Sequence, residues 1–236
     1  MKFMTLKKYA VIVAGGSGTR MGSVIPKQFI EVDGKPILRH TIEHFQSLSF
    51  KVELVVVLPD EHKEYWKNYC RESGFLSRYS IPSGGITRFH SVKNALQHVP
   101  DGAVVAVHDG VRPCVTTDFL EKMFLAGEKY PSVIPVVKPV ESVREILPSC
   151  AGLHTCSVDR DKFFLVQTPQ VFHSEVLKRA YDQPFNSRFT DDASVVESIG
   201  IEIYTEEGIR RNIKVTTPDD ILLMKAFMQT ASDRGL

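Results

Sequence analysis

Short, unbroken runs of β-branched and aliphatic residues, separated by stretches of helical periodicity, constrain this chain more than any other feature. The runs fall at Tyr9–Val13, Val52–Leu58, Tyr79–Pro82, Ala103–His108, Val133–Val137 and Ile201–Tyr204. They are continuous rather than alternating, as expected of strands buried on both faces of a parallel sheet. Helical patterns occupy Pro36–Gln46, Glu61–Ser73, Ser91–His98, Thr117–Lys129, His173–Tyr181, Asp191–Ile199 and Pro218–Gln229. Thr117 with Leu120 and Glu121 marks the start of one of these helices, and Thr217-Pro218-Asp219-Asp220 the start of the last. Strand alternating with helix predicts an α/β sandwich with a mostly parallel central sheet and right-handed crossovers. The 236 residues show no repeat, low-complexity segment or linker, so one domain over 1–236 is expected.

Lys138–Val158 breaks the alternation. Val140–Leu147 and Leu153–Val158 read as two extended segments joined by Pro148-Ser149-Cys150-Ala151-Gly152. This predicts a β-hairpin arm projecting from the sheet. Such an arm serves dimerisation or is a plain surface hairpin.

The chemistry concentrates where strands end. After Val11-Ile12-Val13 the chain reads Ala14-Gly15-Gly16-Ser17-Gly18-Thr19-Arg20-Met21-Gly22, with Pro26-Lys27-Gln28 behind it. Glycines let a backbone approach an anion, and Arg20 and Lys27 add fixed positive charge, as phosphoryl transfer requires. Met21 occupies the third glycine's place of a dinucleotide fingerprint, and no acid follows at the tip of the second strand. A Walker A loop is excluded too, because no Gly-Lys-Ser/Thr follows.

Gly84-Gly85-Ile86-Thr87-Arg88-Phe89-His90-Ser91 lies between a strand and a helix. It could admit a flat base against backbone, or be a turn with Ser91 in a helix cap. In His108-Asp109-Gly110-Val111-Arg112 a carboxylate and a guanidinium share a strand's rim. Asp109 could hold a metal or a ribose and Arg112 a substrate phosphate, or the two could form an internal ion pair. Thr190-Asp191-Asp192 would serve as a helix N-terminus without further function. Lys214 lies in a strand-like Ile213-Lys214-Val215, where an edge cation is the ordinary reading. His40 and His44 share a helix face without a third ligand, which favours solvated surface over metal.

Bulk properties exclude several function classes. A net charge of +1 is no nucleic-acid footprint. The four cysteines form no CxxC pair, and reduced thiols in a cytoplasm are expected. Met1–Lys7 is too short and polar for a signal peptide, and no apolar run approaches the ~18 residues of a membrane span.

Taken together, these motifs resemble the cytidylyltransferases of isoprenoid-precursor synthesis, in particular the 2-C-methyl-D-erythritol 4-phosphate cytidylyltransferase family. The resemblance runs from Ala14-Gly15-Gly16 to Asn212-Ile213-Lys214-Val215-Thr216. The seven-residue step from Arg20 to Lys27 resembles this branch rather than hexose-1-phosphate enzymes. The resemblance implies a Rossmann-like nucleotidyltransferase sandwich, CTP as nucleotide, a polyol phosphate as acceptor and Mg²⁺ bridging the triphosphate, with Asp109 a candidate ligand. It implies that Arg20 and Lys27 stabilise the pentacoordinate transition state. Arg160, Lys214, Asp109, Arg112 and Thr190 would position the sugar phosphate. Ala14, Gly15, Gly16, Ser17, Gly18 and Thr19, with Gly84, Gly85, Arg88 and Ser91, would hold the nucleotide. It further implies a homodimer through the arm, with Ser142 and Arg160 acting in the partner's site.

The chain departs from the family at the arm's start. It reads Pro139-Val140-Glu141-Ser142-Val143-Arg144 where the family shows Pro-Val-x-Asp-Thr-x-Lys. The stretch around Gly110 also lacks two alanines common in the family, which is expected to alter loop width. Two other readings compete: a ribitol-5-phosphate cytidylyltransferase, and a regulatory module that binds CTP without turnover.

Overall fold

The unbroken apolar runs become strands because helices cover both faces of the sheet. A computed structural model describes residues 6–15, 25–147 and 154–233. The strands β1 (Lys7–Val13), β4 (Glu53–Val57), β5 (Tyr79–Ser80) and β6 (Ala103–Asp109) form its parallel half. Val11 of β1 is in register with Val55 on one side and Val107 on the other. Ala10 and Ile12 face one apolar cluster while Val11 faces the other, so successive side chains are all buried.

The first face is covered by α1 (Ile37–Gln46), α2 (Asp60–Glu72) and α4 (Thr117–Lys129), through Leu38, Ile42, Trp66, Leu120 and Phe124. The second is covered by α3 (Arg88–Leu96), α5 (Ser174–Tyr181) and α6 (Asp192–Glu197), through Phe89, Val92, Leu177 and Val196. The last helix, α7 (Pro218–Asp233), packs with Ile37, Val111 and Val215 in a third, smaller cluster. The α/β sandwich with a mostly parallel central sheet is therefore as expected.

The other half of the sheet departs from the sequence reading. β11 (Gln170–His173) enters antiparallel between β6 and β7 (Ser132–Val137), and β10 (Leu165–Val166) pairs antiparallel with β7. Neither was expected, since runs of four and two residues carry almost no periodicity. A small β2–β3 hairpin (Glu31–Val32, Lys35–Pro36) was missed for the same reason. β12 (Tyr204–Glu207) pairs parallel with β7, three residues later than predicted.

Other differences are local. α3 starts at Arg88 rather than Ser91, because Thr87 accepts the His90 backbone N–H and caps the helix. α4 begins at Thr117 as expected, with Thr116 before it accepting the Phe119 N–H as the cap. The 213–215 segment is no strand; it is tied as a loop by the Val215 N–H on the Val111 carbonyl, 2.8 Å. His40 is 7% exposed and bonded to the Val32 carbonyl rather than solvated.

Within the predicted arm a shorter hairpin forms, over 144–147 and 154–157 rather than 140–147 and 153–158. Among the described residues β8 (Arg144–Leu147) and β9 (His154–Ser157) pair only with each other, in antiparallel register. The predicted turn at 148–152, with Leu153 after it, lies outside the described residues.

Candidate functional site

Parallel strands end together, and the crevice beyond their C-terminal ends is where open α/β sheets bind ligands. Here the ends of β1 and β6 and the N-terminus of α3 enclose a cleft of about 330 Å³. Of the residues singled out from sequence, the cleft gathers Ala14, Gly15, Lys27, Gly85, Arg88, Ser91, Asp109 and Lys214. Gly16, Ser17, Gly18, Thr19 and Arg20 lie outside the described residues.

Asp109, 6% exposed at the end of β6, is the hub. Lys214 Nζ lies 3.1 Å and Arg112 Nε 3.2 Å from its Oδ2, and Arg88 Nε lies 3.5 Å from its Oδ1. Burial alone would raise its pKa, but Arg88, Lys214 and Arg112 outweigh it and hold the carboxyl well below the usual carboxylate range. The internal ion pair considered for Asp109 and Arg112 therefore exists. It is part of a larger array that includes Lys214, which reaches the cleft from a loop and is 40% exposed.

Arg88 is held from behind. Its Nη1 and Nη2 donate to the two oxygens of fully buried Asp192 at 2.9 and 2.6 Å, and the Tyr181 hydroxyl donates to Asp192 at 2.6 Å. Burial opposes its charge, but Asp192 and Asp109 raise its pKa above the usual value. Arg88 is thus a cation clamped in a bidentate pair rather than one swinging freely toward a nucleotide.

Beneath Asp109, His108 is fully buried and its pKa is pushed down to about 4, chiefly by burial. Its Nε2 lies 3.1 Å from the Arg112 carbonyl, so the proton of the neutral ring sits there. Nδ1 then accepts from the Thr168 hydroxyl, 3.2 Å, whose oxygen accepts the Asp109 backbone N–H, 3.1 Å. The chain of bonds fixes the carboxylate's position without adding charge.

The nucleotide side is built from backbone. Gln28 donates to the Ala14 carbonyl at 3.0 Å, pinning the end of β1. Pro26 precedes a 3₁₀ turn (Lys27–Phe29) whose Phe29 is buried against Tyr65 and Trp66, and this anchors Lys27 at the rim. Ser91 accepts the Gly85 N–H, 3.0 Å, and donates to the Thr87 carbonyl, 3.0 Å. Ser91 therefore braces the loop instead of capping the helix.

A Cβ at Gly85 would lie 2.8 Å from the His90 carbonyl carbon, so only glycine fits. The Gly84 N–H is already bonded to the Leu58 carbonyl, 2.8 Å, and Gly84 does not line the cleft. At Gly110 a Cβ would come to 3.0 Å from the Ala14 Cβ, so an alanine here would push its neighbours back by a few tenths of an ångström.

Arg112 backs the cleft, donating from Nη1 to the Asn212 carbonyl at 2.8 Å. Thr190, Ser142 and Arg160 are exposed and do not line it. Arg160 instead donates to the Val140 carbonyl at the root of the arm. Asp191 caps α6 in a capping box with Ser194, the structural role considered for Thr190-Asp191-Asp192. Sequence reasoning missed Gln28, Thr168, Asp192 and Asn212 as site-building residues. Asp192 alone carried a signal, an acid followed directly by the apolar pattern of Ala193, Val195 and Val196.

Among the described residues no His, Cys, Asp or Glu cluster could hold a metal ion. Asp109 is a hard oxygen donor facing the cleft, but its oxygens are shared with Lys214, Arg112 and Arg88, so a cation here would be held chiefly by phosphate oxygens and water.

Comparison with known proteins identifies the family. The family model IspD, described as 2-C-methyl-D-erythritol 4-phosphate cytidylyltransferase, matches residues 9–230. The enzyme of that name from Bacteroides fragilis is 48% identical over 219 residues, 93% of this chain and 98% of its own length. That from Bacteroides thetaiotaomicron is 47% identical over 223 residues, 94% of this chain and 100% of its own. The crystal structure of the Francisella tularensis enzyme superposes with a TM-score of 0.76 at 30% identity, covering 94% of this chain and 99% of that one. These findings favour methylerythritol phosphate over ribitol phosphate as the acceptor, and an enzyme over a binding module. The chain belongs to the 2-C-methyl-D-erythritol 4-phosphate cytidylyltransferase family, enzymes that transfer CMP from CTP to that acceptor, releasing pyrophosphate.

Proposed function

We propose that the cleft divides this reaction into a nucleotide half and an acceptor half, meeting at Lys27 and Lys214. A phosphate oxygen of the acceptor attacks the α-phosphorus of CTP. The new P–O bond forms as the bond to the β-phosphate breaks, and pyrophosphate leaves. The attacking group is already an anion, so no general base is required. The obstacle is bringing anion to anion, which fixed cations overcome.

In this reading Lys27 and Arg20 stabilise the charge that develops on the pentacoordinate phosphorus. The backbone of Ala14–Thr19, with Gly85 and Ser91, seats the nucleotide, and Gly84 and Arg88 hold that wall in place. Lys214 takes the acceptor phosphate, with Asp109, Arg112 and Thr190 fixing its orientation. Mg²⁺ bound to the triphosphate oxygens, with Asp109 within reach, would neutralise charge on the leaving pyrophosphate.

The observation that carries this reading is Asp109 held between Arg88, Arg112 and Lys214 at the end of β6. It presents Lys214 as a cation already oriented toward the cleft. Lys214→Ala is expected to raise KM for the acceptor at least tenfold while leaving KM for CTP within about twofold. Equal effects on both constants would contradict the division.

The arm supplies the remainder. Val140, Ile146, Phe163, Phe164 and Leu165 are 45–68% exposed, an apolar surface of the kind that marks an interface. Homodimerisation through residues 138–158 would bring Ser142 and Arg160 to the partner's cleft. Among the described residues no helix is long and apolar enough to cross a membrane. Cys70, Cys114 and Cys156 are free thiols. Both features suit a cytoplasmic enzyme, formed as one domain over 1–236.

A further inference from the structure

A larger cavity, of about 720 Å³, is lined by Arg211, three residues before the Lys214 that lines the cleft. It is lined by the β2–β3 hairpin, α1, residues 113–118 leading into α4 and the second half of α7. Its size is that of a small-molecule site, and it shares no lining residue with the cleft.

Its charge arrangement is specific. Arg211 is half-buried, and its guanidinium has no hydrogen-bond or ion-pair partner among the described residues. Beside it stands His44, whose pKa burial lowers most; a bond with the Pro113 backbone works against this, and His40 and Arg211 lower it further. Lys35 also faces the cavity but is tied to Glu43 at 2.7 Å. The acids Asp33 and Asp118 line it as well, but both are exposed and lie toward solvent. Phe227 and Met228 add a partly buried apolar wall. A half-buried cation without a counter-ion beside an apolar wall is complementary to a ligand with an anionic head and an apolar body.

The segment between cavity and cleft is firmly tied. The Ile213 N–H donates to the Arg211 carbonyl at 2.7 Å and the Val215 N–H to the Val111 carbonyl at 2.8 Å. Asn212 Nδ2 donates to the Thr168 carbonyl at 2.8 Å, and the Asn212 carbonyl accepts from Arg112. A ligand drawing on Arg211 would load the Asn212–Arg112 bond beside it, and Arg112 shares Asp109 Oδ2 with Lys214.

We propose that this cavity is a second ligand site, for a small amphiphilic anion held by Arg211, and that its occupancy alters acceptor binding at Lys214. The binding half stands on the cavity alone; the coupling half rests on the role proposed above for Lys214.

The test is calorimetric titration of the full-length protein, without CTP, with n-hexyl phosphate, inorganic phosphate and 1-hexanol. Hexyl phosphate is expected to bind once per chain, with both other probes at least tenfold weaker. Arg211→Met and Phe227→Ser, each checked for folding by thermal melt, should each weaken it by about tenfold or more. Lys214→Ala should leave its affinity within about threefold. Ring resonances of His44 should shift on binding in the wild type. Steady-state assays with saturating CTP should show hexyl phosphate changing KM for the acceptor at least twofold in wild type and not in Arg211→Met.

No saturable binding would overturn the site. So would binding lost in Lys214→Ala but kept in Arg211→Met, which would place the probe in the catalytic cleft. Inorganic phosphate binding as tightly as hexyl phosphate would overturn the amphiphilic assignment. Binding that leaves KM unmoved would overturn the coupling.

Discussion

Asp109 on the floor of the cleft is 6% exposed and gathers three cations, whereas Arg160 at the root of the arm is exposed and bonds to a backbone carbonyl. Both belong to the same proposed acceptor site. The cleft residues are held by networks that close within one chain, through Asp192, Thr168 and Asn212. The arm residues are held by a two-stranded ribbon that pairs with no other strand among the described residues. The cleft is therefore part of the fold's stability, while the arm contributes little to it. Damage to the two regions should differ in kind: on the cleft's floor it costs folding and catalysis together, in the arm catalysis alone.

The largest expected effect is on the cleft's support. Asp192→Ala removes the bidentate acceptor of Arg88, which keeps only Asp109 at 3.5 Å, strands the buried Tyr181 hydroxyl, and should cost about 3–5 kcal/mol of stability, read by urea unfolding. A loss comparable to a surface substitution, about 0.5 kcal/mol, would show that the clamp is dispensable. Next comes Lys27→Ala, expected to lower kcat by about 10²–10³-fold in a pyrophosphate-release assay, with stability nearly unchanged. That outcome would separate the catalytic rim from the structural floor.

A pH titration sharpens the contrast further. His108 is neutral in the fold, with a pKa of about 4 against about 6.5 unfolded, so the unfolded state binds the extra proton first. Its contribution is present above pH 6.5 and is lost as pH falls toward 4, by up to about 3 kcal/mol. His108→Gln should flatten the stability profile in that window; an unchanged profile would assign the dependence to other groups. Smallest of all, Phe163→Ser on the arm's flank should change chain stability by about 0.5 kcal/mol or less, while shifting sedimentation toward monomer.

Much of the cleft was legible because chemistry gathers where buried runs stop. Val13 into Ala14-Gly15 and His108 into Asp109 are visible as breaks in apolar pattern, and both strand ends line the cleft or lead into it. The helix over Thr117–Lys129 was readable to the residue, because its apolar face repeats for three turns between Thr116 and Tyr130. Local pattern did not reveal long-range pairing. Arg88 and Asp192 are 104 positions apart, and neither residue type announces that they meet in a buried bidentate bridge. Lys214 looked like an edge residue because Ile213 and Val215 flank it, yet their packing into a small cluster with α7 makes a loop that turns the lysine inward. β11 escaped because Gln170–His173 is too short for a period to show. Its antiparallel entry is fixed by what β6 and β7 leave open.

The most direct test mixes two inactive chains. Lys27→Ala disables a cleft and Arg160→Ala disables an arm, and each is expected to be nearly inactive alone. If an arm completes its partner's cleft, each heterodimer keeps one intact site, and an equal mixture should recover about a quarter of wild-type activity. Heterodimers demonstrated by tagged co-purification yet no more active than their parents would contradict the account, and would mean that each site is built from a single chain.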